Sequence, residues 1–179
     1  MNDLETERLI LRKFNEKDVD DLYEVLSNEK VARYSDFKRH TSKEYTIMEI
    51  ETAIQDYGTY ESCWAIEEKK SHKVIGYIKI DNASLKNKQC SLLWALGLKY
   101  WGLGYSEEML KTMLNYLFKN HPFDIIIVKY YSDNAYSNPI LDNVGMKRDA
   151  ILRNRRINTL TNEKESLVVY SILKEEMAC

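Results

Sequence analysis

Residues 91–108 read SLLWALGLKYWGLGYSEE, and the pattern of this stretch decides the fold. It begins as a mostly apolar strand and ends in the clearest helix of the sequence, predicted over 106–119. Between the two, Gly102 and Gly104 leave the backbone uncovered, so its N–H groups can approach a ligand closely. A helix N-terminus carries about half a positive charge and favours phosphate. The alternative interpretation is a strand-to-helix turn that simply needs two glycines.

Hydrophobic periodicity on either side predicts a mixed α/β domain spanning residues 1–179. Strands are expected over 4–14, 63–66, 74–81, 90–98, 125–128, 146–157 and 167–173. Helices are expected from about 18 to 26, 42 to 60, 106 to 119 and 138 to 144. The predicted order is β-α-α-β-β-β-α-β-α-β-β, with helices on both faces of a mostly antiparallel, twisted sheet of about seven strands.

Composition narrows the possible functions. The 179 residues carry a net charge of −2, which gives no drive toward nucleic acid or anionic membranes. No apolar run reaches the ~18 residues of a membrane span, and the first residues do not resemble a signal peptide, so we expect a cytoplasmic location. Cysteine and histidine residues are scattered without metal-ligand spacing, which argues against a metal site; they are Cys63, Cys90, Cys179, His40, His72 and His121.

Several runs of the sequence carry a family resemblance. Residues 99–104, KYWGLG, resemble the acetyl-CoA signature (Gln/Arg)-x-x-Gly-x-(Gly/Ala) of the GNAT superfamily of N-acetyltransferases. The longer run over 100–108 is similar to one branch, the ribosomal-protein alanine N-acetyltransferases of RimJ/RimL type. The segment 134–146, the beginning over 4–12 and the end over 170–174 also resemble that branch. These matches, in the same order, cover nearly the whole chain.

The resemblance implies an enzyme that uses acetyl-CoA as co-substrate, without a metal, and acetylates a primary amine by direct attack. The implied sheet splays at a bulge where the strand ending at Leu98 parts from its neighbour. Leu96 and Leu98 would bond the pantetheine arm, and the Leu96 N–H would polarise the thioester carbonyl. The turn would contribute the remaining cofactor contacts, from Lys99, Trp101, Gly102, Leu103, Gly104, Tyr105 and Ser106.

Three further residues receive roles from the resemblance. Asn134 would hydrogen-bond the pantetheine, and Ser137 would lie near the sulfur. The Ser137 or the Tyr136 hydroxyl could protonate the leaving thiolate, and the sequence leaves this choice open. The alternatives are a turn residue for Asn134, a helix N-cap for Ser137 and surface packing for Tyr136.

The sequence departs from the family pattern at four positions. Lys99 replaces Gln or Arg, while Pro139 and Asn143 replace a usual Arg and Lys. Ser91 stands where many relatives carry a Glu that acts as the base, so the general base is unassigned.

The expected partners are acetyl-CoA and an amine acceptor, a protein N-terminus or a small molecule, with no nucleic acid and no membrane. We expect a monomer or a homodimer.

Two other functions compete with catalysis. The protein could be a module of the same fold that binds acetyl-CoA or CoA with little or no catalysis, which the Ser91 replacement favours. A dinucleotide-binding oxidoreductase would need a third glycine three positions after Gly104, where Glu107 stands instead.

Overall fold

Eight strands and five α-helices follow one another in the computed structural model, which describes residues 2–177. The strands are β1 (Leu4–Glu5), β2 (Leu9–Arg12), β3 (Cys63–Glu68), β4 (Lys73–Ser84), β5 (Gln89–Leu96), β6 (Ile125–Tyr131), β7 (Lys147–Ile157) and β8 (Lys164–Leu173). The helices are α1 (Val19–Leu26), α2 (Glu29–Arg33), α3 (Lys43–Gln55), α4 (Tyr105–Asn120) and α5 (Ser137–Asn143). The predicted α/β class is confirmed, with one strand and one helix more than expected. Cys179 lies outside the described residues.

The additional strand comes from a turn inside the predicted strand 4–14. Thr6 N–H donates to the Leu9 carbonyl at 3.0 Å, and Leu9 N–H donates to Thr6 Oγ1 at 2.8 Å. These bonds reverse the chain, so β1 lies antiparallel to β2 with Leu4 opposite Leu11. A side-chain hydroxyl that bonds the backbone locally is a known competitor of strand pairing.

The additional helix, α2, follows a side-chain cap. The Asn28 side chain accepts hydrogen bonds from the N–H groups of Lys30 and Val31 and so satisfies two donors at the start of the helix. Five residues are too few to show a periodic pattern, so the sequence analysis missed α2. The predicted second helix, over 42–60, corresponds to α3 and ends earlier, at Gln55.

The sheet has the strand order β1-β2-β3-β4-β5-β6-β8-β7. All neighbouring pairs are antiparallel except β5 and β6, which run parallel. Their pairing covers only Gln89–Ser91 against Ile125–Ile127. Beyond Ser91, β5 continues to pair with β4 as far as Leu96, and β6 continues with β8 as far as Tyr131. The two strands therefore splay apart, as expected; the nearest irregular pairing lies between β4 and β5, after Asp81.

Helices cover both faces of the sheet. On one face α4 buries Met109, Met113 and Leu117 completely against sheet residues that include Ile78 and Leu92. On the other face, α1, α2 and α3 enclose a second core. No helix among residues 2–177 has the length and apolarity that a membrane crossing would need.

We expect Gly76→Ala to destabilise the protein by ~1–3 kcal/mol or more, because a Cβ there would collide with the Ala95 carbonyl oxygen and lie 2.9 Å from Leu96 Cδ2. Gly97→Ala is the matched control, since its Cβ would lie 3.3 Å from the Tyr100 ring and 3.5 Å from Val25 Cγ2, with no backbone atom in the way. Urea unfolding measures both variants. Equal losses of unfolding free energy would show that the close β4–β5 contact is unimportant.

Candidate active site

A cavity of about 440 Å³ opens where β5 and β6 part. Its walls come from both sides of the sheet: the end of α2, β4, β5, the start of α4, β6, the segment before α5, and one residue each of β7 and β8. A splayed pair of strands leaves backbone groups without a strand partner, and such groups need a ligand or water. The cavity therefore has the geometry of a site for an extended ligand.

The glycine turn forms one end of this cavity. Gly102 and Gly104 have φ values of +73° and +80°, in the left-handed region that favours glycine. The turn delivers the chain to the N-terminus of α4 at Tyr105, and no atom lies within 4 Å of a Cβ built on Gly102. Uncovered backbone, open space and a helix N-terminus together fit a phosphate group.

A partly buried carboxylate ties the turn to the sheet. Glu108 accepts hydrogen bonds from Thr6 Oγ1, from Arg8 N–H at 2.8 Å and from Arg8 Nε at 2.6 Å. The same Arg8 donates through Nη1 to the Leu103 carbonyl at 2.8 Å. Burial raises the pKa of Glu108, but the hydrogen bonds from Thr6 and Arg8 outweigh burial and leave the pKa below its ordinary value. The turn is therefore held in place before any ligand binds.

The edge of β5 faces the splay. Gly97 N–H donates to Ile75 on β4 at 2.8 Å. Because successive N–H groups of a strand point to opposite edges, the Leu96 N–H points away from β4 and toward the splay. The Leu96 carbonyl on that edge already accepts a hydrogen bond from the Trp101 indole at 2.8 Å. Leu96 can thus offer a ligand its N–H.

Trp101 also links the two walls of the cavity. Its ring lies 5.2 Å from that of Tyr136 and 6.1 Å from that of Tyr34, centroid to centroid. Tyr136 belongs to the segment before α5, and Tyr34 follows α2. Aromatic pairs at these separations contribute about 0.5–1.5 kcal/mol each beyond their burial.

Ser137, Tyr136 and Asn134 all line the cavity. Ser137 is 6% exposed and is the first residue of α5, so it is not the helix N-cap; that position belongs to Tyr136. Asn134 Oδ1 accepts a hydrogen bond from the Tyr136 N–H at 3.3 Å. The amide oxygen therefore serves the local turn, which leaves the Asn134 amide hydrogens for a ligand.

Three of the predicted cofactor residues lie outside this cavity. The prediction of a strand through Leu98 is wrong, because β5 ends at Leu96 and Leu98 enters a short 3-10 helix over 98–100. Lys99 forms an ion pair with Glu24 at 2.9 Å, and both border a separate, smaller cavity. The Leu103 side chain is 54% exposed on the outer side of the turn.

Five further residues line the cavity and were not predicted from the sequence. They are Tyr34, Asp36, Tyr77, Asp81 and Arg156. Arg156 forms an ion pair with Asp36. The β7–β8 register shifts between Leu152 and Arg156, and such irregularities re-aim side chains. None of these residues stands in a recognisable spacing, so no sequence signal marked them.

The two cysteines in the described part of the chain are unsuited to act as nucleophiles. Cys63 and Cys90 are buried, and burial raises the pKa of the Cys63 thiol and raises that of Cys90 to about 12. Buried thiols with raised pKa values are poor nucleophiles. Among residues 2–177, no group of three or more His, Cys, Asp or Glu side chains is placed to hold a metal ion.

Residues 8–147 match the family described as Acetyltransferase (GNAT) domain. Because this match spans most of the chain, the protein belongs to the GNAT family and is an acetyl-CoA-dependent acyltransferase. The resemblance seen in the sequence is thereby confirmed.

The chain is similar to individual members over nearly its full length. It is 27% identical over 172 residues to the uncharacterised N-acetyltransferase YoaA of Bacillus subtilis (strain 168), covering 96% of each chain. Its fold matches a GNAT-family acetyltransferase from Bacillus anthracis with a TM-score of 0.85 and 23% identity, over 98% of this chain and 100% of that one. It also matches RimL, a ribosomal L7/L12 alpha-N-protein acetyltransferase solved with coenzyme A, with a TM-score of 0.86 and 18% identity, over 96% and 98% of the two chains.

We expect Glu108→Gln to lower the free energy of unfolding by ~1–3 kcal/mol at neutral pH, because one charged acceptor of several hydrogen bonds is lost. A carboxylate whose pKa is lowered by folding stabilises the protein fully above its unfolded-state pKa, about 4.5, and this stabilisation is lost as the pH falls through the folded-state value. The difference between wild type and variant should therefore shrink in acid. Denaturant titrations across the acid range measure it.

Glu107→Gln removes the same charge from the preceding residue of the helix and is the matched control for that experiment. A difference between wild type and Glu108→Gln that stays constant throughout the acid range would contradict the role given to Glu108.

Proposed function

We propose that this protein transfers the acetyl group of acetyl-CoA directly to a primary amine, on a protein N-terminus or a small molecule. The observation that carries the proposal is the single cavity that connects the glycine turn at α4 with polar and aromatic side chains on the opposite face of the sheet. Such a cavity admits the two substrates from different sides and lets them meet at the splay.

The glycine turn is the proposed site for the pyrophosphate of acetyl-CoA. Backbone N–H groups between Trp101 and Ser106 would bond its oxygens, and the open space beside Gly102 leaves room for them. The pantetheine arm would then run along the splay, where Leu96 N–H and the Asn134 amide are the proposed partners. Leu98 and Lys99 are omitted from this site because they do not line the cavity, and Leu103 would contribute only its backbone N–H.

The chemistry begins when a neutral amine attacks the thioester carbonyl carbon. Negative charge then develops on the carbonyl oxygen, and a fixed donor such as the Leu96 N–H is worth about 3 kcal/mol to that state. A C–N bond forms, the C–S bond breaks and the electron pair leaves with sulfur, while the nitrogen of the amine gives up a proton, which passes to water. Direct transfer needs no protein nucleophile, which agrees with the buried thiols of Cys63 and Cys90.

The leaving thiolate is a stable anion, since thiols have pKa values near ~8.5, and it needs only modest acid assistance. Ser137 is the proposed donor because its hydroxyl is buried in the cavity and is free of a capping role. Tyr136 is the second candidate; its side chain is 48% exposed and packs against Trp101.

Two solved relatives point to a class of acceptor. RimL is described as acting on the α-amino group of ribosomal L7/L12, and a structure from Vibrio fischeri, with a TM-score of 0.85 and 14% identity over 100% of both chains, is described as a ribosomal-protein-S5-alanine acetyltransferase. Protein N-termini therefore belong among the acceptors to be tried. An α-amino group has a pKa near ~8, so a useful fraction is already neutral at physiological pH.

A module that binds acetyl-CoA without catalysis is the second candidate. Ser91 favours it, because a hydroxyl rather than a carboxylate lies at the point where β5 and β6 part. Thiol release from acetyl-CoA in the presence of amine acceptors separates the two functions. Tight acetyl-CoA binding with no thiol release for any peptide or small amine would favour the module.

We expect Gly102→Val to weaken acetyl-CoA binding at least tenfold, because the new side chain would fill the space proposed for the pyrophosphate. Gly58→Val is the matched control: Gly58 also has a positive φ, +93°, and open space at its Cβ, but it lies in the turn after α3, away from the cavity. Calorimetric titration of both folded variants measures the effect. Unchanged binding by Gly102→Val would remove this site.

We expect Ser137→Ala to lower kcat by ~10- to 100-fold while the KM for acetyl-CoA stays nearly constant, since the hydroxyl meets charge that exists only in the transition state. Tyr136→Phe keeps the ring contact with Trp101 and removes only the hydroxyl, so it tests the second candidate directly. Steady-state kinetics on the best acceptor measure both. Full kcat in Ser137→Ala beside a collapse in Tyr136→Phe would transfer the acid role to Tyr136.

A further inference from the structure

The end of the cavity opposite the glycine turn carries two carboxylates. Asp36 lies just after α2 and Asp81 lies on β4, and both line the cavity. Asp81 is the cross-strand partner of Ser91, so both point to the face of the sheet that α1, α2 and α3 cover. The cavity therefore has an acidic lining on this face, at the base of the splay.

The basic side chains nearby neutralise only part of the negative charge of Asp36 and Asp81. Arg156 pairs with Asp36 through Oδ2, while Asp81 accepts a hydrogen bond from the Asn82 amide. Arg33 is held by Asp133 at 2.5 Å and by Glu165 at 2.9 Å. Lys129 of β6 also lines the cavity, but its side chain is exposed to solvent.

Asp36 and Asp81 are close enough to affect each other. Burial is the main cause that raises the pKa of Asp36, and the negative charge of Asp81 raises it further, against the lowering effect of Arg156. Two like charges facing one space are stabilised by a cation placed between them.

An independent observation marks the same place as a binding site. Tyr131 is 3% exposed and lines the cavity, yet its hydroxyl finds no hydrogen-bond partner among residues 2–177. Arg156 and Asp36 both lie close enough to influence its pKa, so the hydroxyl belongs to the same end of the cavity. Leaving a buried hydroxyl unpaired destabilises the protein, and a bound ligand that pairs with it would remove this cost.

We infer that this end of the cavity binds a positively charged primary amine without a neighbouring carboxylate, with its ammonium group between Asp36 and Asp81 and within reach of the Tyr131 hydroxyl. An ammonium group offers donors to all three acceptors. Tyr34 and Tyr77 line the same cavity, and aromatic faces attract cations. A carboxylate next to the amine would instead meet Asp36 and Asp81 and be repelled.

The inference rests on the proposed function for the identity of the ligand as acceptor, but its test needs no turnover. The protein is saturated with CoA, which carries no acetyl group, and is titrated calorimetrically with 2-phenylethylamine, L-phenylalanine and 1,4-diaminobutane. The first two probes differ only by a carboxylate. We expect 2-phenylethylamine to bind at least tenfold more tightly than L-phenylalanine, and 1,4-diaminobutane to bind measurably.

Substitutions at single positions identify which residues bind the amine. Asp36→Asn and Asp81→Asn should each weaken binding of 2-phenylethylamine at least fivefold and leave the affinity for CoA unchanged, while Asp36→Glu should restore most of the binding. Asp149→Asn removes the same charge from an exposed position of β7 outside the cavity and should change nothing. Tyr131→Phe should weaken binding severalfold without lowering stability.

Three results would overturn the inference: equal affinity for 2-phenylethylamine and L-phenylalanine, unchanged affinity in both aspartate variants, or no binding of either cationic amine. Each can be observed while CoA still binds normally, so it would leave the proposed acetyl-CoA site standing. Failure of CoA itself to bind would instead contradict the proposed function.

Discussion

The cavity exists because β5 and β6 pair over only three residues and then part. Past Ser91 the facing edges of both strands carry backbone groups that a continuous sheet would have paired, and leaving them buried and unpaired is costly. The protein satisfies one of them itself, through the Trp101 indole on the Leu96 carbonyl. The remaining donor of Leu96 is left for a ligand, so an interruption of secondary structure creates the site.

The splay is kept open by contacts on either side of it. Arg8 and Glu108 fasten the glycine turn to β2, and Trp101 packs against rings from both walls. A site that is already ordered pays less conformational entropy when a ligand binds. The positive φ values at Gly102 and Gly104 cost glycine no strain, so the turn keeps its shape without a side chain that would cover its backbone.

Local patterns in the sequence predicted most of the fold. Helix α4 was visible in the spacing of Met109, Met113 and Leu117, and the glycine turn was visible because special backbone geometry limits which residues can occupy it. The break between β1 and β2 and the short helix α2 were missed, since each depends on one side-chain bond, made by Thr6 and by Asn28. Of the site, the half built from consecutive residues could be predicted. Asp36, Asp81 and Arg156 could not, because they come from three separate parts of the chain that only the folded sheet brings together.

The two halves of the cavity differ in the kind of atoms they present, and this difference suits the two substrates. The end at α4 offers backbone N–H groups and the partial charge of a helix terminus, which suit the phosphates that every molecule of acetyl-CoA carries. The opposite end offers side chains, and side chains can change during evolution without disturbing the fold. In the function that we propose, backbone geometry holds the common co-substrate, and Asp36, Asp81 and their aromatic neighbours would select the acceptor. The same division would explain why the family could be recognised from the sequence while the acceptor amine could not.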